Sequence, residues 1–286
     1  MIPGRILLVA LLLLGGACVG GEERRSTHAS HDELAAQPAQ HALIDEQLSR
    51  FVVDPAPPGR VFFLGFAGYG EQKVFAEEIK LAARRVGERY GSTARTLLLI
   101  NDRRDLTTMP LATHDNLRYS LRELARRMNP ETDVLFLVLS SHGARNGMIE
   151  VSNTGMEALG LSPASVDLLT REAGIRMRVV VVSACFSGAF VEPLANNDTV
   201  VLTAASRSRS SFGCSDDRHL TWFGEALFQD ALPGASTLRE AFKTTRGLVR
   251  VRERKLRATA SQPQSYFGPV VESRLAEIEA ARRQGR

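Results

Sequence analysis

The sequence predicts a three-layer α/β sandwich on a mostly parallel sheet, and three observations carry that expectation. Two runs, Val134 to Leu139 (VLFLVL) and Val179 to Val182 (VVVV), are wholly apolar, rich in β-branched residues and too short for a long helix. Runs of that kind read as strands buried on both faces, as in a parallel sheet. Segments with helical spacing alternate with them and with similar short runs, which is the pattern of βαβ units. Finally, 286 residues with 44% hydrophobic content suffice for a sizeable core.

The elements follow in order. A basic start, Met1 to Arg5, precedes an apolar run, Ile6 to Leu14, and the small residues Gly15, Gly16 and Ala17 before Cys18. This is the pattern of a signal peptide over 1–18, too short to span a membrane as a helix. Cys18 stands where a bacterial lipoprotein signal places its acylated cysteine, which predicts a lipid anchor on an exported, envelope protein; ordinary secretion is the simpler alternative. Residues 19–58, closing on Asp54 to Gly59 (DPAPPG), read as a tether outside the core with one short helix near Ala42 to Phe51. The main domain spans 59–270, and 271–286 reads as a C-terminal helix or tail.

Within the domain, Val61 to Phe66 is the first strand, with a turn at Gly68 and Gly70, and Glu71 to Tyr90 has helical spacing. Thr96 to Ile100 is the second strand, and Thr113 is placed to cap a helix reaching Met128. After the Val134 strand, Met148 to Val151 suggests a short hairpin strand. Ser162 and Pro163 open a helix that Gly174 closes. Thr199 to Ala204 is a further strand. Ala226, Leu227, Ala241, Phe242 and Leu248 mark two later helices, the last ending in Arg246 to Arg257 (RGLVRVRERKLR), with Leu248, Val249, Val251 and Leu256 expected inside.

Composition narrows the function. The net charge of +4 is mild, and the basic run lacks interleaved aromatics, so a solvated helix face is expected there rather than nucleic-acid binding. The six histidines show no HExxH or paired CxxC spacing, so no metal or cofactor is expected. Gly65 to Gly70 has GxxGxG spacing rather than the GxGxxG of a dinucleotide-binding turn. With Cys18 acylated, Cys185 and Cys214 remain, and a bond between them would silence a Cys185 nucleophile, so both are expected as free thiols.

The chemistry lies where the two strands end. His142 follows one and Cys185 the other, and parallel pairing would bring both to the same sheet edge. There Cys185 is placed as a nucleophile and His142 as its proton shuttle. Gly143, without a side chain, can bring its N–H to a carbonyl and form an oxyanion hole with the N–H of Cys185. Two rivals have different signatures. An α/β-hydrolase would place its histidine after the nucleophile, where only His219 stands, and a non-catalytic scaffold would keep the fold and bind a partner.

Ser140 to Gly143 (SSHG) after one strand and Ser183 to Gly188 (SACFSG) after the other resemble the legumain family of cysteine peptidases, within the caspase-like group. The likeness runs from about Val61 to Gly268 and includes Gly70 to Phe75, Leu99 to Asn101, Pro110 to Thr113, Val201 to Ala205, Ser210 to Cys214, Trp222 to Gly224 and Gln262 to Gln264. The resemblance implies a caspase-like fold, a metal-free dyad of His142 and Cys185, and a peptide or protein substrate. The family holds both endopeptidases that cleave after Asn or Asp and transamidases. Legumains commonly carry Glu two residues before the nucleophile, in the specificity pocket; this chain has Ser183, so Asn specificity does not carry over. Ser211, Asp217 and Glu225 lie in the segments that shape that pocket in relatives and are the remaining substrate-binding candidates.

Overall fold

A computed structural model describes residues 31–52, 59–104, 107–153, 156, 158–215 and 217–284, with the backbone alone for 31–37. The signal segment with Cys18, and the proline-rich stretch 54–58, lie outside the described residues. The architecture is α/β, with a six-stranded sheet in the order β2-β1-β3-β6-β7-β8. The strands are β1 (Val61–Ala67), β2 (Thr96–Ile100), β3 (Val134–Ser140), β6 (Arg178–Ser183), β7 (Thr199–Thr203) and β8 (Gln264–Phe267). All pairs are parallel except the antiparallel β7–β8 edge. Every residue of β1, β3, β6 and β7 is buried, as unalternating apolar runs require.

Alternation along these strands splits the core into two. One face presents Phe63, Phe136, Val138, Val179, Val181 and Leu202 to α2 (Lys73–Tyr90), α6 (Trp222–Gly224, continuing π-wound through Glu225–Ala231), α7 (Leu238–Lys255) and α8 (Pro269–Gln284). The other presents Phe62, Leu64, Leu135, Leu137, Val180 and Val182 to α1 (His31–Ser49), α3 (His114–Ala125) and α4 (Pro163–Glu172). The expected caps form: Thr113 accepts from the N–H of Asn116, and Ser162 from that of Ser165. At the opposite end from the site, Asp133 accepts from Arg60 and from the N–H of Asn129, tying the start of β1 to that of β3.

Several details differ from expectation. The segment read as tether contains α1, whose Ile44 and Leu48 are buried in the core. The Gln47 amide donates to the C=O of Leu98 and accepts from its N–H, so α1 covers the edge of β2. A helix with little apolar periodicity is held by such specific contacts, which a periodicity reading misses. The C-terminal stretch is also part of the body, burying Val271, Leu275 and Ile278. In α7 only Val249 of the four expected residues is inside, while Leu248, Val251 and Leu256 are exposed. Leu238, Ala241, Phe242, Thr245, Val249 and Glu253 set the helix phase, and the others fall off that stripe. Two short strands escaped detection: β8, and β5 (Leu159–Leu161), which pairs with β4 (Ile149–Val151) in a separate hairpin. Gly68 and Gly70 pack against that hairpin, where a Cβ would stand 2.5 Å from Glu150 O and 2.2 Å from Asn153 Oδ1. The glycine turn is thus filled by the Glu150 carbonyl and the Asn153 side chain.

Candidate active site

β3 and β6 pair in parallel, and Ser140 stands opposite Ser183 as the last matched pair. His142 and Cys185 each lie two residues beyond that pair, so equal offsets carry both to one edge of the sheet. There they line a common cavity with Phe75, Ser141, Ser183, Ala184, Ser211, Phe212, Cys214 and Thr221. The chain turns sharply after the sulfur: Phe186 adopts φ 56°, a left-handed conformation uncommon for a bulky residue, and its N–H donates to Arg209 O at 2.8 Å. A short 3₁₀ turn, Ser187–Phe190, follows and runs into α5 (Val191–Leu194).

The His142 ring is half-buried, meeting Phe75 and Tyr69 edge-on at centroid distances of 5.0 and 4.6 Å. Its Nε2 lies 2.8 Å from Gln72 Oε1. An amide oxygen only accepts, so Nε2 carries the proton and Nδ1 is the basic nitrogen of the neutral ring. Burial holds the ring below the ordinary imidazole range, and the charge of Glu150 partly offsets this. The Cys185 sulfur accepts from the N–H of Ser211 at 3.2 Å and lies 3.5 Å from its carbonyl oxygen. Cys185 and Cys214 are both free thiols, and burial pushes the Cys214 thiol up.

Gly143 explains itself geometrically. It forms an antiparallel bridge with Ile149 flanked by bonds from Glu150 N to His142 O and from Ala144 N to Met148 O. Gly143 and Ile149 are therefore a non-hydrogen-bonded pair, and the Gly143 N–H points away from the hairpin. On its other side lies Cys185: a Cβ here would meet Cys185 O at 1.9 Å and Cys185 N at 3.1 Å. Neither the Gly143 nor the Cys185 N–H has a hydrogen-bond partner among the described residues.

Of the pocket candidates, Ser183 and Ser211 line the cavity and the other two do not. Asp217 is exposed, with the Ser215 hydroxyl and its own backbone N–H holding its carboxyl below the usual range. Glu225 is engaged by Arg218 at 2.6 Å and by Arg252 at 2.7 and 2.9 Å. Sequence reasoning missed Gln72, Thr221 and Glu78, and it assigned no role to the backbone of Ser211. Only Gln72 carried a signal, its place in the Gly70 to Phe75 stretch just before α2.

Comparison with protein families finds a match to the Peptidase C13 family over residues 124–273, a span holding both His142 and Cys185. The match begins at the end of α3, so it is shorter than the likeness that runs from Val61. No match was found among curated proteins. The fold agrees with the caspase-like sandwich that the family implies, and more than half of the sequence is matched. The chain therefore belongs to the Peptidase C13 family, the legumain family of cysteine peptidases.

Proposed function

We propose that this chain is a cysteine endopeptidase working through a dyad of Cys185 and His142. The observation that carries the reading is the equal offset of the two residues beyond a matched strand pair, with the Gly143 and Cys185 N–H groups having no partner among the described residues. Cys185 Sγ attacks the scissile carbonyl and its proton passes to His142 Nδ1. The N–H groups of Gly143 and Cys185 hold the oxyanion. The C–N bond breaks and the amine leaves with the proton from His142. Water then attacks the thioester, His142 takes its proton, and the acid product departs as the thiol reforms. Gln72 keeps the ring oriented throughout.

The test is turnover of a randomised peptide library by the purified protein, with Cys185→Ala and His142→Ala as controls. Cleavage is expected in the wild type and lost in both variants with the fold retained. Undiminished cleavage by either variant overturns the assignment. Products formed with an added amine distinguish transamidation from hydrolysis by the same dyad. The N-terminal pattern supports export and membrane tethering through Cys18, and Cys18→Ser is expected to release the protein from the membrane fraction.

A further inference from the structure

The cavity beside Cys185 is small and uncharged. Its volume is about 10 Å³, room for one water-sized group. Among the described residues its lining holds no Lys, Arg, Asp or Glu. Phe75 and Phe212 wall it, the latter backed by Trp222 at a centroid distance of 5.1 Å. Ser183 and Thr221 lie with their hydroxyl oxygens 3.2 Å apart.

Beneath those hydroxyls is a buried group that the proposed dyad does not use. Glu78 of α2 is fully buried, accepting from the Ser140 hydroxyl at 3.1 Å, from the N–H of Thr221 at 3.2 Å and from the Thr221 hydroxyl. Ser183 also hydrogen-bonds it, and burial holds its carboxyl above the ordinary range. Thr221 accepts in turn from the N–H of Gly224 at 2.9 Å. The hydroxyls are thus tied from below and cannot swing aside to enlarge the site.

We infer that this pocket receives the side chain preceding the scissile bond and selects a small uncharged residue, Gly, Ala or Ser, over Asn, Asp, Lys or Phe. The inference rests on the peptidase reading above and adds the substrate class. A carboxylate entering here would meet no Lys or Arg in the lining, only the His142 imidazole that serves the reaction, and would lie near the buried Glu78 carboxyl. A Lys or Phe side chain exceeds the space. A serine fits the volume and reaches the free lone pairs of Ser183.

The experiment compares quenched peptides differing only in the residue before the cleaved bond: Gly, Ala, Ser, Val, Asn, Asp, Lys and Phe. In parallel, peptidyl acyloxymethyl ketones with Ala, Asn, Asp, Lys or Phe at that position report the labelling rate of Cys185. The Ala and Ser peptides are expected to exceed the Asn, Asp, Lys and Phe peptides in kcat/KM by roughly 10-fold or more. Cys214→Ala, which widens the pocket without touching a hydroxyl, is expected to raise the Val-to-Ala ratio of kcat/KM by about 10-fold; Thr221→Ser, which keeps the helix cap, is the second variant. Cleavage or labelling with Asn, Asp, Lys or Phe at or above the Ala rate overturns the inference and leaves the peptidase intact. If no peptide is cut and no ketone labels Cys185, the peptidase reading itself fails. If the ketones label without peptide cleavage, their rate order decides the pocket.

Discussion

Gly143→Ala tests the oxyanion geometry most directly. The added methyl would stand 1.9 Å from Cys185 O and 2.8 Å from Cys185 C, both backbone atoms that no rotamer change relieves. An ordinary carbon–oxygen contact is about 3.3 Å, so the two strand ends must part by about 1.4 Å. A misplacement of about 1 Å costs on the order of 100-fold in rate, and loss of one oxyanion donor costs about 100- to 1,000-fold. The overpacking destabilises by about 1–3 kcal/mol, which lowers Tm by roughly 2–12 °C in a domain of this size. The assay combines kcat/KM on the best peptide, thermal melting, and alkylation of Cys185 by iodoacetamide, which builds no oxyanion. The expected outcome is a fall in kcat/KM of at least about 100-fold with a much smaller change in alkylation. A variant whose kcat/KM stays within about threefold of the wild type would show that this N–H stabilises no transition state.

Two further predictions concern protons. In the proposed dyad His142 must be neutral to accept the thiol proton, and burial lowers its pKa, so the acid limb of kcat/KM is expected below the ordinary imidazole value of about 6.5. Glu150→Gln removes the charge that raises the ring and is expected to move the limb to still lower pH; a wild-type limb above that value, or one unmoved in the variant, contradicts this. Glu78 has its pKa raised by burial, so the fold favours its protonated form. Its contribution to stability is therefore present below the ordinary carboxylate range and is lost as pH rises through the raised value. Urea midpoints of wild type and Glu78→Gln across pH should diverge accordingly, the wild type losing ground as pH rises, and a constant difference would argue against a titrating Glu78.

The sheet was legible in the sequence because burial on both faces leaves an unalternating apolar run, and β3 and β6 are the purest examples. The hairpin strand β5 and edge strand β8 were not, since strands of three and four residues with partly exposed faces leave little periodicity. The same contrast divides the site. His142, Gly143 and Cys185 announce themselves by standing at strand ends, whereas Gln72, Ser211, Thr221 and Glu78 reach the site from other elements. Their roles depend on contacts spanning 70, 26, 38 and 62 residues of chain, respectively, which no local pattern encodes.

Register is what joins these two kinds of residue. A one-residue slip of β3 against β6 would send each buried side chain to the opposite face and separate the histidine from the cysteine. The apolar ladder opposes that slip along its length, Leu135 through Ser140 facing Arg178 through Ser183. At the end where the apolar residues stop, the opposed serines Ser140 and Ser183 both turn to Glu78. One buried carboxyl thereby holds the two strands at their last matched pair, two residues before the proposed catalytic groups. It also explains why a costly desolvated acid sits there: an apolar side chain in its place would leave the Ser140 and Thr221 donors buried without partners.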